Sequence, residues 1–511
     1  MNKEKTIKNP LPESLQEAMD WIREQLGHSC DLVIREFRIS FSEANKAAII
    51  YTDGLVNLEH VQEFIMKPLM SMEEAAAFRK RERDETELSL IRNIIEYILP
   101  AGGIVELEDR DAILNAALTG CAVLILEGCS IAIAIEMRGW EERGVTEPAA
   151  QTVVRGPREG FSENIRTNTS MIRRKIKDPK LWIETKFIGK SSQTAVAIAF
   201  MNGTARESIV DEVRSRLDAI DIDAILESSY IEELIQDGVY TPFPTVFHTE
   251  RPDVVAAGLL EGRVAIIIDG TPFVLMVPAI FVELFQSPED YYQRADISTL
   301  VRILRFISFA IALFVPSVYI AITTFHQEMM PTSMLISLAS QREGVPFPAF
   351  IEAILMEVTF EILREAGVRM PRPVGQAVSI VGTLVIGQAA VEAGIVSAAM
   401  VIVVSITAIS SFVLPSFNLS ISVRMLRFLF MGLAASFGVF GIIVGFIALV
   451  LHLCRLNSFG IPYMTPLAPF NFADQKDTLM RFPMWAMLKR PRLLSRGNLT
   501  RQRKKASRNE T

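Results

Sequence analysis

FISFAIALFVPSVYIAITTF, residues Phe306–Phe325, runs for 20 residues without a formal charge. Three more such runs follow: Pro373–Val391 with 19 residues, Ile395–Val423 with 29 and Phe428–Cys454 with 27. An apolar run of this length spans the hydrocarbon of a bilayer as a helix. A helix closes its own backbone hydrogen bonds, which lipid cannot do. The block from Thr299 to Arg455 therefore reads as a membrane domain. One stretch inside it is different. Phe347–Leu363 is apolar but carries Glu352, Glu357 and Glu361, with Arg364 just beyond. Carboxylates at membrane depth are costly and face a cavity, a partner or an ion path. At 100° per residue Glu357 and Glu361 fall about 40° apart on one face, and Glu352 about 140° from Glu357. Glu352, Glu357, Glu361 and Arg364 are thus candidate residues of a polar path. The competing reading is an amphipathic helix lying in the interface.

Outward from this block, charge is partitioned. Residues 1–300 hold 32 basic against 49 acidic side chains, residues 301–454 hold 8 against 7, and residues 455–511 hold 12 against 3. An acidic soluble part, a near-neutral membrane part and a basic tail follow. The polar start carries no apolar signal core. Arg294, Arg302 and Arg305 precede the first span, so the positive-inside rule keeps the N-terminal part in the cytoplasm. Four or five crossings are compatible with the runs. The basic tail favours four, with both ends inside. Its clusters, Lys489–Arg492 and Arg501–Lys505, either bind anionic lipid or only fix topology. Gly441 and Gly445, with Ala434 and Gly438, have the small-residue spacing of close helix packing.

The soluble part reads as α/β. Asp31–Ile39 and Ala47–Thr52 are strands, Ala122–Leu126 and Ser130–Ile135 a hairpin, and Thr194–Phe200 a further strand. Gly120–Gly128 and Gly262–Gly270 are both nine-residue stretches with Gly at each end and an acid before the second Gly. Each follows an earlier Asp-Gly or Asn-Gly turn, by 74 and 67 residues. This is the signature of a duplicated subdomain. The expected layout is a polar segment 1–24, subdomains 25–145 and 181–297 joined by a basic segment 146–180, a membrane domain 298–455 of four or five helices, and a tail 456–511. In the joining segment Arg155, Arg158, Arg173 and Arg174 are candidates for pairing with an acidic neighbour or another subunit; a solvated helix is the other reading. An acidic domain without interleaved aromatics does not bind nucleic acid.

Other chemistries find no motif. Gly189-Lys190-Ser191 looks like the end of a phosphate loop, but Glu184 stands where the first Gly belongs and a strand follows. The four Cys and five His have no metal-ligand spacing. No catalytic constellation, cofactor or metal site is expected, so an enzyme is not.

The wording of several stretches resembles the A subunit of GerA-type spore germination receptors. These are Thr52-Asp53-Gly54-Leu55 with Lys67-Pro68-Leu69-Met70, Arg155-Gly-Pro-Arg-Glu-Gly-Phe161, Asp178-Pro179-Lys180-Leu181, Gly262–Gly270 with Phe285-Gln-Ser-Pro-Glu-Asp-Tyr-Tyr292, Pro462–Pro469, Arg481-Phe482-Pro483 and Lys489-Arg490-Pro491. They cover most of the chain. The resemblance implies an inner-membrane protein of the bacterial spore. It implies a permease-like B subunit and a lipoprotein C subunit as partners. It also implies self-association into a nutrient-gated cation channel. A paralogous branch similar to the stage V sporulation protein AF would instead amplify germination, and a non-conducting scaffold subunit is the further alternative.

Overall fold

The computed structural model describes residues 9–39, 46–71, 91–139, 148, 151, 153–369, 387–471, 474–495 and 498–502. Residues 72–90, the run Pro373–Val391 before Gly387 and the tail beyond residue 502 lie outside them. The chain divides into two compact units. One holds Met1–Gln236, Val246–Pro278 and Leu488–Thr511, and the other Asp237–Thr245 and Ala279–Met487.

The first unit contains two five-stranded antiparallel sheets. Strands β1 (Leu32–Arg38), β2 (Lys46–Thr52), β3 (Ile104–Leu107), β4 (Cys121–Leu126) and β5 (Ala132–Glu136) lie in the order β1-β2-β4-β5-β3. Strands β6 (Leu181–Ile188), β7 (Thr194–Met201), β8 (Phe247–Thr249), β9 (Val264–Ile268) and β10 (Val274–Val277) lie in the order β6-β7-β9-β10-β8. Taken in chain order, the two topologies are the same. The paired turns share their backbone too. Gly54 and Gly203 sit at φ 78° and 75°, and Gly128 and Gly270 at 78° and 89°. L side chains rarely adopt that region, which explains the repeated Gly.

Both faces of the first sheet are covered. Ala47, Ile49 and Leu124 face one apolar cluster with Ile65, Leu69 and Ile94. Ala48, Ile50, Val123 and Ile125 face another with α1 (Leu15–Gln25) and α2 (Arg110–Leu118). This is why β4 reads as an unbroken apolar run rather than an alternating one. The second sheet packs Ile183, Ala199 and Ile267 against α3 (Ile165–Lys175) and α6 (Pro252–Leu260), with α4 (Glu207–Asp218) and α5 (Ser228–Ile235) between β7 and β8. Strand β6 escaped the sequence reading, because Glu184 and Lys186 break its apolar pattern. Gly189-Lys190-Ser191 forms the turn between β6 and β7. The C-terminal stretch joins this unit: Ser495 bridges Ala205, Arg490 Nε donates to the Leu260 carbonyl at 2.6 Å, and Arg501 pairs with Glu261 at 2.6 Å.

The second unit is helical. Its longer described helices are α7 (Ala295–Thr324), α8 (Thr332–Arg342), α9 (Ala349–Arg369), α10 (Gly387–Glu392), α11 (Ala398–Phe412) and α12 (Phe417–Arg455). Helices α7 and α12 are long and apolar enough to cross a membrane. α12 is not one rod. Gly438 has φ 61° and ψ −143°, outside helical geometry. A Cβ on Gly445 would stand 2.9 Å from the Phe430 ring. In a straight helix those residues would be about 22 Å apart. The chain therefore reverses at Gly438 and forms a hairpin. The uncharged run Phe428–Cys454 contains that reversal and is not a single span.

Side-chain contacts orient the rest. Gly438 meets Phe325 and His326 at the end of α7. Ser422, early in α12, donates to the Pro242 carbonyl, and His452, late in α12, meets Thr241 at 2.9 Å. One end of the bundle thus holds the start of α7 and both ends of α12; the other holds the end of α7 and the hairpin turn. Ser397, capping α11, lies beside Tyr319 at the hairpin end, whereas Ser411 lies beside Ser420 at the opposite end. α9 runs the same way as α11, since Glu352 meets Ser397 and Arg364 meets Ser411.

Candidate functional site

The carboxylates of α9 form a ladder of contacts down the bundle. Glu352 is fully buried, and its Oε1 accepts from Ser397 N at 2.6 Å and Ser397 Oγ at 2.5 Å. Ser397 Oγ in turn accepts from Met400 N, so the carboxylate sits on a capped helix N-terminus, where its charge is favoured. Its other oxygen, Oε2, stands 3.8 Å from Arg342 Nε and accepts no hydrogen bond.

About one and a half turns on, Glu357 Oε2 accepts from Arg427 Nη1 at 2.5 Å. Both side chains are 4% exposed. Arg427 Nε also donates to the Ala312 carbonyl at 2.8 Å, which ties α9, α12 and α7 at one point. Glu357 Oε1 and Arg427 Nη2 are buried without a partner. One turn further, Glu361 pairs with Arg424. Residues 357 and 361 are four apart and 424 and 427 three apart. Antiparallel helices bring such pairs into register. Glu357 and Glu361 therefore share a face, as their angles predict, and that face meets arginines. Arg364 completes the row. It lies over the Phe412 ring at 4.7 Å and reaches Ser411 Oγ at 3.4 Å.

The glycines have separate places. Gly441 and Gly445 lie where the two arms of α12 meet, and a Cβ on Gly441 would collide with the Leu433 carbonyl oxygen. Gly438 is the turn itself. In the first unit Arg173 makes a two-pronged pair with Asp31, at 2.6 and 3.0 Å, with 2% and 7% exposure. Arg174 lies 3.9 Å from Glu159. Arg166 pairs with Asp53, so the joining segment holds the two sheets together within one chain. Arg155 and Arg158 lie in the loop before α3.

A second buried cluster was not found by sequence reasoning. Arg302 and Arg305, counted there only as topology signals, both bond Asp290 Oδ2, at 3.2 and 2.8 Å. Arg302 also reaches Asp477 Oδ1 at 2.8 Å, and Tyr291 donates to the same carboxylate at 2.7 Å. The signal lay in the spacing of Arg302 and Arg305 along one helix face, but their partners are distant in sequence. Among the described residues no group of three or more His, Cys, Asp or Glu is placed to hold a metal.

Known proteins give this geometry a context. The family described as Bacillus/Clostridium GerA spore germination protein matches residues 20–493. Spore germination protein KA of Bacillus subtilis is 50% identical over 94% of this chain and 87% of its own length. The uncharacterized membrane protein YfkQ of the same species is 45% identical over 96% and 93%. Spore germination protein GerLA of Bacillus cereus is 40% identical over 95% and 96%. The crystal structure of the N-terminal domain of the A subunit of the Bacillus megaterium spore germinant receptor GerK3 aligns at a TM-score of 0.42 and 37% identity, covering 53% of this chain and 98% of that one.

Proposed function

The chain belongs to the Bacillus/Clostridium GerA spore germination protein family, and from that premise we propose that it is the A-type subunit of a nutrient receptor that associates with copies of itself into a gated cation path. In this reading it works beside a permease-like and a lipoprotein subunit in the inner membrane of the spore. The observation that carries the reading is the charge ladder Glu352, Glu357 and Glu361 along α9, inside an otherwise apolar bundle. Charge kept at such depth has a functional default. In the resting arrangement Arg427 and Arg424 hold Glu357 and Glu361, and gating would exchange those partners.

The described helices support a multi-pass arrangement. α7, α9, α11 and the two arms of α12 each run from end to end. The tail residues 488–502 belong to the same compact unit as the N-terminal sheets, which supports a reading with both on one side. The positive-inside rule places that side in the cytoplasm.

The non-conducting scaffold is the second reading, favoured by the fact that every carboxylate of the ladder has a partner. Spores carrying Glu357→Gln with Arg427→Gln decide between the two. Altered nutrient-triggered cation release at normal protein level supports the path. Unchanged release kinetics would remove the ladder from conduction.

A further inference from the structure

The charges at one end of the bundle do not balance. Glu357 takes Arg427 and Glu361 takes Arg424, so among the described residues Arg364 has no carboxylate of its own. Its contacts are the hydroxyl of Ser411 and the ring of Phe412. Arg424 Nε and Arg427 Nη2 are buried and donate to no partner among the described residues. Arg364 stands close enough to feel Arg424, Arg427 and Glu361 together. Three guanidiniums against two carboxylates leave this cluster one positive charge in excess.

The place of the cluster narrows what could neutralise it. Arg364 lies five residues from the end of α9 and Arg424 seven from the start of α12. At 1.5 Å per residue both are within about 7–11 Å of those helix ends. That is the end at which α7 begins, within reach of a headgroup for a long side chain. The cluster also opens outward. Glu361 is 42% exposed. Phe412, under the Arg364 guanidinium, is 62% exposed, and Phe417 and Met425 in the first part of α12 are 59% and 62% exposed, so apolar surface is exposed at this end. A guanidinium fork fits phosphate oxygens, and basic pockets between membrane helices take anionic headgroups. The tail is a poorer candidate, because Arg490 and Arg501 already bond Leu260 and Glu261 within the first unit.

We propose that Arg364, with Arg424, binds the phosphate of an anionic phospholipid at this end of the bundle. One phosphodiester brings one negative charge, which closes the balance. The proposal rests on the helical unit lying in a membrane, though not on its conducting ions.

The test uses the full chain in detergent, with phosphatidylglycerol, phosphatidylcholine or inorganic phosphate added. Thermal stability and lipid retained in native mass spectrometry are read. Retention of any phospholipid by the wild type reports on the membrane reading alone. The site predicts a stability rise with phosphatidylglycerol over phosphatidylcholine, with affinity lowered about tenfold or more in Arg364→Gln, the worth of a charged hydrogen bond. Lys489→Gln in the tail should leave it unchanged. Equal affinity in Arg364→Gln and wild type would overturn the site. So would no preference between the two lipids. An equal Arg364-dependent shift with inorganic phosphate would overturn the lipid assignment, and a change in subunit number without a change in lipid would assign Arg364 to a neighbouring copy instead. Should Arg364→Gln not fold, Arg364→Met removes the charge and keeps an apolar stem; binding equal to wild type there would equally overturn the site.

Discussion

Arg173–Asp31 in the sheet unit and Arg427–Glu357 in the helical unit are the same chemical pair in two surroundings. Each is almost wholly buried. In the first, both carboxylate oxygens of Asp31 are used by one guanidinium. In the second, only one oxygen of Glu357 is used, and the guanidinium divides itself between the carboxylate and a backbone carbonyl. The first pair is spent on joining two sheets. The second leaves both an acceptor, Glu357 Oε1, and a donor, Arg427 Nη2, without a partner among the described residues, whereas the first leaves only a donor, Arg173 Nη1. A buried pair adds little to stability over a good apolar fit, yet breaking one is costly. The half-used pair is therefore the better candidate for an arrangement that changes.

The largest effect should come from separating the second pair. Arg427→Ala leaves Glu357 charged and alone among apolar helices. The expected loss is about 3–5 kcal/mol, read as loss of folded protein or a lower thermal midpoint in detergent. Replacing both members, Arg427→Met with Glu357→Leu, should recover most of it. If the double variant is stable and still supports normal cation release, the contrast between the pairs has no functional meaning. Arg173→Ala should cost somewhat less, about 3 kcal/mol, because the position borders a loop at the start of β1 that water can enter on relaxation. Urea unfolding of the full chain measures it. A loss larger than that of Arg427→Ala would invert the comparison.

The hairpin gives a steric counterpart to these electrostatic tests. Gly441→Ala would press a methyl against the Leu433 carbonyl oxygen, where backbone must yield. Overpacking of this kind costs about 1–3 kcal/mol. It should also shift Arg424 and Arg427, which sit on the facing arm. A thermal midpoint as high as wild type would mean that the two arms are not closely packed.

How much of this could be read in the sequence depends on the range of each interaction. The duplicated subdomain was legible, because Gly54, Gly128, Gly203 and Gly270 mark turns that need a positive φ. The shared face of Glu357 and Glu361 was legible too, since a helix fixes it locally. Their partners were not. Arg427 lies 70 residues from Glu357, and no local pattern marks that spacing. The reversal at Gly438 was hidden for another reason. A helical hairpin with a single turn residue leaves the apolar run unbroken, so Phe428–Cys454 has the length and composition of one span. Strand β6 was missed because charges on its outer face obscure the period, and Arg302 and Arg305 because Asp290 and Asp477 approach from elsewhere in the chain.

Glu227 marks the mild end of the same scale, a carboxylate that water still reaches. It caps α5, accepting from Ser229 N at 2.6 Å, and also bonds Ser228 Oγ and Thr271 Oγ. Partial burial pushes its pKa up, but the hydrogen bonds from Ser228, Ser229 and Thr271 outweigh that and hold it at about 2, below the ordinary 4.5. A depressed folded pKa means that the stabilisation is present above about pH 4.5 and is lost as pH falls through about 2. Because the group is only half-buried, solvent screening reduces the effect to about 1 kcal/mol, similar to other helix caps. Glu227→Gln should therefore be less stable than wild type at pH 6, and the difference should shrink toward pH 2. Urea midpoints of the two proteins across that window give the comparison directly. A constant difference would show that the cap works through hydrogen-bond geometry alone. The step in cost from the two buried pairs, at Arg427 and Arg173, to the half-buried Glu227 would then need a cause other than removal of charge from water.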